Sequence, residues 1–142
     1  MPNKPPTFKP LTSTSSKPAM QIWQLRRGSA RSRGYDDDWN NFSEKLKHYV
    51  EYRICAICGR ASQVLDHVIA LDGPNDPNRF NLDDIQPLCH ECHNRKGVRF
   101  DGLYGKPRDT SDDGKREMQR MLADAKARAE RYQARIADEM RA

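Results

Sequence analysis

The sequence has no hydrophobic run long enough to cross a bilayer, which excludes a helical membrane protein. Met1 to Phe8 hold no apolar stretch of signal-peptide length, so the protein is expected in the cytoplasm. Apolar residues are scarce: 36% are hydrophobic and 32% charged, too few for a large core that holds 142 residues unaided. Acid is missing from one end. Residues 1–34 carry seven Lys/Arg and no Asp/Glu, whereas residues 35–111 carry ten basic and thirteen acidic side chains, and residues 112–142 carry eight and seven. The net charge of +5 points to a polyanionic partner met mainly by the N-terminal arm. Cysteine is rare too, with only four, but their positions are not scattered.

Along the chain, residues 1–19 are rich in proline, serine and threonine, and the whole of 1–34 reads as a basic disordered arm in which Arg26 and Arg27 are positioned to grip phosphate. Trp39, Phe42, Leu46, Tyr49 and Val50 recur at helical spacing, which predicts a helix over about 38–52 behind an Asp36–Asp38 cap. Val64 to Ile69 is β-branched and apolar and predicts a strand. Residues 72–78 are dense in turn formers and predict a loop. Ile85 to Leu88 predicts a short edge strand containing Pro87, and a short helix follows from Cys89 to about Val98. After a glycine-containing linker over 102–114, Met118, Leu122, Ala125, Ala129, Tyr132 and Ile136 form a weak heptad seam on a helix over about 112–140. The seam fits its own domain, a second copy or another protein equally well. The expected organisation is a small α+β domain over 35–104, flanked by the arm and by a linker and charged helix over 105–142.

Cys55-x-x-Cys58 and Cys89-x-x-Cys92 are two tight pairs, the pattern that one tetrahedral structural zinc requires. In a reducing compartment such pairs hold metal more readily than they form disulfides. Cys89 to His93 also matches covalent haem attachment, but that needs export and leaves Cys55 and Cys58 unexplained. Between the pairs lies Asp66-His67, and His93 follows the last cysteine directly. A carboxylate and two imidazoles outside the thiolate set suit hydrolysis. A neutral histidine can deprotonate water near pH 7, and a divalent cation held by carboxylate and imidazole can neutralise charge on a phosphate. Adjacent strand residues point to opposite faces, so Asp66 and His67 can take different tasks. Arg95, Lys96 and Arg99, on or after the site helix, are candidate phosphate contacts, while His48 and His90 read as surface or packing residues.

The stretch from Cys55 to Lys96, with Asp66-His67-Val-Ile and Cys92-His93-Asn-Arg-Lys96, resembles the HNH endonucleases and more specifically their zinc-clipped bacteriophage members. Arg33-Gly34-Tyr35 and Trp39 match a segment often found upstream in them. The resemblance covers about residues 33–100. It implies a ββα-metal finger and a DNA substrate, with His67 as general base and Asp66 and His93 as ligands of a catalytic Mg²⁺, Mn²⁺ or Ni²⁺. It also implies the host cytoplasm as location and a packaging terminase as a partner for the C-terminal helix. Separately from the resemblance, a monomer or weak homodimer is expected, and the sequence leaves both open. One position departs from the pattern. The family's middle residue is usually Asn, which braces the loop that orients the base; Asp84 stands there and, when ionised, can only accept hydrogen bonds. The competing expectation is a non-catalytic zinc module that binds nucleic acid or bridges proteins, which fits the basic arm and Asp84.

Overall fold

A computed structural model describes residues 27–142. Helix α1 (Asp37–Leu46) starts where Asp36 caps it, the Asp36 carboxylate accepting from Trp39 N at 3.2 Å, with Asp37 and Asp38 in the first turn against the helix dipole. It stops earlier than the apolar spacing suggests. The Arg53 side chain donates to the Lys47 and His48 carbonyls at 3.2 and 2.7 Å and satisfies the helix end. Tyr49 is extended, and a turn of 3₁₀ helix (Val50–Tyr52) then carries Tyr52 into the core.

Strands β1 (Val64–His67) and β2 (Ile85–Leu88) form an antiparallel pair in which Val64 faces Leu88, Asp66 faces Gln86 and His67 faces Ile85. β1 ends two residues short of expectation because Asp84 takes over the next two donors. Its carbonyl accepts from Val68 N and its carboxylate from Ile69 N, at 2.8 and 3.0 Å. Helix α2 (His90–Phe100) follows β2, capped by the Cys89 sulfur, and helix α3 (Asp112–Arg141) closes the chain behind a Ser111 cap.

Both faces of the two-stranded sheet are covered. On one face Leu65 and Ile85 pack with Trp39 and Leu46 of α1 and with Tyr52. On the other, Val64 and Leu88 pack with the cysteines at the start of α2, and Val68 meets Phe100 of α2 with Met121 and Ala125 of α3. The heptad seam of α3 is therefore spent on its own domain. Tyr132 completes it by edge contacts to Tyr49 and Tyr52, at ring-centroid distances of 4.9 and 5.6 Å, and Arg135 pairs with Glu51. The fold is a small α+β domain, two strands and a helix clipped by a four-cysteine cluster, with a flanking helix before it and a long helix after it. Among the described residues no helix is long and apolar enough to cross a membrane.

The expectation of an unstructured arm over 1–34 fails at its end. Arg31–Arg33 form a 3₁₀ turn, and Gly34, at φ 104°, redirects the chain toward α1. The turn and Gly34 set Tyr35 beside the sheet, where it packs on the α1 core. Residues 1–26, with Arg26 and Trp23, lie outside the described residues.

Candidate active site

The cysteine pairs come together because two turns face each other. Cys55 to Gly59 folds tightly, with Gly59 N donating to the Cys55 carbonyl at 3.0 Å and Gly59 at φ 76°, a backbone conformation that only glycine adopts without strain. Ala56 N donates to the Pro87 carbonyl at 2.8 Å and ties this knuckle to β2, directly before Cys89 and α2. The four sulfurs lie within 4.8 Å of one another, Cys58 and Cys89 at 3.7 Å. Zinc–sulfur bonds of about 2.3 Å put tetrahedral ligands roughly 3.8 Å apart, so the cluster can bind a metal such as zinc. Hydrogen bonds from the Arg60 backbone and side chain lower the Cys58 thiol to about 6, whereas burial pushes Cys92 up to about 12.

The strand pleat sends Asp66 and His67 to opposite faces of the sheet. Asp66, buried at 5% exposure, points toward α2. Its two oxygens are differently used. Oδ2 faces inward, accepting from Gln86 Nε2 at 3.2 Å and pairing with Lys96 Nζ at 3.1 Å. Oδ1 faces outward and lies 3.6 Å from Nε2 of His93, a half-exposed side chain on α2. Two donors at that separation can share one cation with bonds of about 2.1 Å each.

His67 turns the other way, into a cradle. Trp39 lies against its ring at a centroid distance of 4.5 Å. Nε2 donates to the Arg79 carbonyl at 2.8 Å, and the Tyr35 hydroxyl donates to Nδ1 at 3.3 Å. A carbonyl can only accept, so Nε2 carries the hydrogen and Nδ1 keeps its lone pair. Burial lowers the His67 pKa below its usual 6.5, so the ring is neutral at pH 7. Asp66, His67, His93, Tyr35, Trp39 and Asp101 line one cavity of about 540 Å³, and Arg27, Arg33, Lys47 and Arg108 stand around it.

The segment that holds the cysteine clip, Asp66, His67 and His93 also resembles a known family. Residues 55–99 match the HNH endonuclease family model. No curated protein and no solved structure matches the chain at a comparable level. The HNH match supports a nuclease-type function on a nucleic-acid substrate.

Within this HNH segment the structure moves three of the residues read as phosphate contacts. Lys96 is 3% exposed and points inward. Its ammonium donates to the His67 carbonyl at 2.6 Å and to both oxygens of Asp101 at 2.8 and 3.0 Å, besides pairing with Asp66. A buried ammonium satisfied by two carboxylates and a carbonyl has nothing left for DNA. Arg95 and Arg99 fall roughly 160° and 120° around α2 from His93, on its far side; both are exposed, and Arg99 is engaged by Asp109 at 2.8 Å. Arg27 stays beside the cavity, and Arg26 lies outside the described residues. Asp84 does not touch the His67 ring; it holds Ile69 N, two residues after His67. The reading missed Arg79, because a backbone carbonyl leaves no trace in side-chain chemistry, and Asp101, because only the turn after α2 brings it back to Lys96.

Proposed function

We propose that this protein is a metal-dependent DNA endonuclease in which His67 is the general base. The observation that carries the reading is the pair of partners on the His67 ring: Nε2 faces the Arg79 carbonyl, which can only accept, Nδ1 faces the Tyr35 hydroxyl, and His67 lines the cavity that Asp66 and His93 also line. The Tyr35 hydroxyl gives up Nδ1 to a water. Nδ1 takes a proton from that water, the water oxygen bonds to phosphorus, the bond from phosphorus to the 3′ oxygen breaks, and that oxygen takes a proton from solvent. The products are a 5′-phosphate and a 3′-hydroxyl. Asp66 Oδ1 and His93 Nε2 are the pair suited to hold Mg²⁺, Mn²⁺ or Ni²⁺, while Cys55, Cys58, Cys89 and Cys92 hold Zn²⁺. When bound, the divalent cation neutralises charge on the phosphate and the departing oxygen. Arg27, Arg33, Lys47 and Arg108 are the side chains around the cavity suited to a phosphate backbone, which a ligand-bearing but acidic centre needs beside it. Phage DNA processing with a terminase belongs to this proposal, with a docking surface other than the α3 seam.

The test is nicking of supercoiled plasmid by the zinc-loaded full chain with Mg²⁺, Mn²⁺ or Ni²⁺. His67→Ala is expected to cut the rate by about a hundredfold to ten-thousandfold with zinc content retained. No nicking by the wild type with any of these ions would leave a zinc module that binds nucleic acid, which the uncompensated Asp84 carboxylate favours.

A further inference from the structure

Arg79 sits in the loop between the strands, where the sequence marks only turn formers around it. Its side chain is nevertheless 10% exposed, and all three guanidinium nitrogens are used. Nε donates to the Gly34 carbonyl at 3.0 Å, Nη1 donates to the Pro74 carbonyl at 3.1 Å, and Nη2 pairs with the Asp36 carboxylate. The planar fork thus ties the segment 34–36, held by two nitrogens, to Pro74 of its own loop, a task that a point charge such as lysine cannot perform. The segment 34–36 leads to His67 twice. Asp36 caps the helix that lays Trp39 on the imidazole. Gly34 precedes Tyr35, whose hydroxyl meets Nδ1, and a Cβ at Gly34 would lie 3.1 Å from the Gly73 carbonyl, so the approach is close-fitted. The main-chain oxygen of Arg79 itself accepts from Nε2.

We propose that Arg79 is the positioning residue of the base: its carbonyl decides which nitrogen of His67 is basic, and its guanidinium holds that carbonyl and the Tyr35–Trp39 wall in register. This rests on the reading of His67 as general base. Without the fork, the loop carrying the carbonyl keeps turn hydrogen bonds, such as Arg79 N to the Asp76 carbonyl at 3.0 Å, and the contact of Phe80 with Phe42 at a centroid distance of 5.0 Å, but loses its side-chain hydrogen bonds to the segment 34–36. The imidazole would then be free to rotate and to exchange its proton between the two nitrogens. A base displaced by about 1 Å loses on the order of a hundredfold in rate.

Nitrogen-15 NMR of the zinc-loaded full chain at pH 7.5 decides the first half. One slowly exchanging proton on Nε2 of His67, and none on Nδ1, is the expected result; a proton on Nδ1, or rapid exchange between the two, overturns the proposal. This readout does not depend on cleavage, so a protein that fails to nick DNA would sink the nuclease reading and leave the tautomer result standing. The second half uses Arg79→Gln and Arg79→Lys. With zinc content unchanged, both should lose the slowly exchanging proton and lower the single-turnover nicking rate by roughly a hundredfold, while the half-saturating plasmid concentration moves by less than about twofold. Either variant with wild-type rate and wild-type proton exchange refutes the role of the guanidinium. Should Arg79→Gln not fold, the wild-type spectrum and Arg79→Lys still decide.

Discussion

Asp84 carries a carboxylate that is 3% exposed and only half satisfied. Oδ1 accepts from Ile69 N at 3.0 Å, and Oδ2 has no partner. Burial, the largest influence, raises its pKa to about 6 against the pull of the Ile69 hydrogen bond and of Lys96. An aspartate in the unfolded chain titrates near 3.9, so between about pH 4 and 6 the folded state binds the extra proton and stability falls as pH rises. Above pH 6 the full cost of the buried charge is present. Asp84→Asn keeps the acceptor for Ile69 and removes the charge. It should therefore stabilise the protein at pH 8 by about 1–3 kcal/mol, a rise of several degrees in Tm, and the gain should shrink as pH falls toward 5. Calorimetric Tm values of both proteins at pH 5.5 and 8 check this; an equal or lower Tm for the variant at pH 8 would contradict it. Lys96 shows the opposite solution at the same scale. Its ammonium is just as buried, but Asp66, Asp101 and the His67 carbonyl surround it. What it gives the site is orientation, because it takes Oδ2 of Asp66 and leaves Oδ1 to His93.

At the scale of elements, helix α3 behaves as part of the core. Ala125 is fully buried against Val68, Phe100 and Met121, and Val68 follows His67 at the end of β1. Ala125→Leu inserts three carbons where no space exists, so it should cost about 1–3 kcal/mol in a urea titration with m unchanged. A variant as stable as the wild type would mean that α3 does not dock as described. The helix was legible in the sequence because its apolar residues repeat every three or four positions, but the partner of that stripe was not, since small residues at Ala125 and Ala129 fit a sheet as well as a second helix. Elsewhere periodicity misled. Tyr49 stays on the core side after α1 has ended, but Val50, the last residue of the expected stripe, is exposed, and an extended residue and a 3₁₀ turn put Tyr52 in the core instead. β1 looked longer than it is because Val68 and Ile69 are apolar, and Asp84 replaces β2 as their partner, by its carbonyl for Val68 and its carboxylate for Ile69. The cysteine pairs could be read directly as one cluster, since metal ligation restricts residue type and spacing, and the structure brings Asp66 and His93 together beside it. Lys96 could not, because a position one turn beyond His93 faces solvent or core depending on Asp101, which only the turn after α2 brings near.

For the whole molecule, the thiolate cluster is what relates the two halves of the site. Cys55 and Cys58 precede β1, which carries Asp66 and His67; Cys89 caps α2, which carries His93 and Lys96. The apolar groups are small and separate, and the one nearest the cluster consists of Leu88, Val64 and Ala56 around the cysteines themselves. A structural zinc held there, as proposed, would supply about 10–16 kcal/mol, as much as the entire stability of an ordinary domain, so this fold should not survive its loss. α3 should go with it, because the chain between the strands is its main support: the Leu82–Asp84 turn and β2 lie beneath it, and Val68 beneath Ala125. Titrating the reduced full chain with a strong chelator should release one zinc per chain in step with most of the helical circular dichroism, and zinc should restore the signal where Mg²⁺ alone does not. Thiol titration of the chelated, denatured protein should then find four free sulfhydryls. Helical signal that persists after the metal has gone, or fewer than four thiols, would mean that something other than a thiolate-bound ion holds β1 to α2, and the juxtaposition of Asp66 with His93 would need another cause.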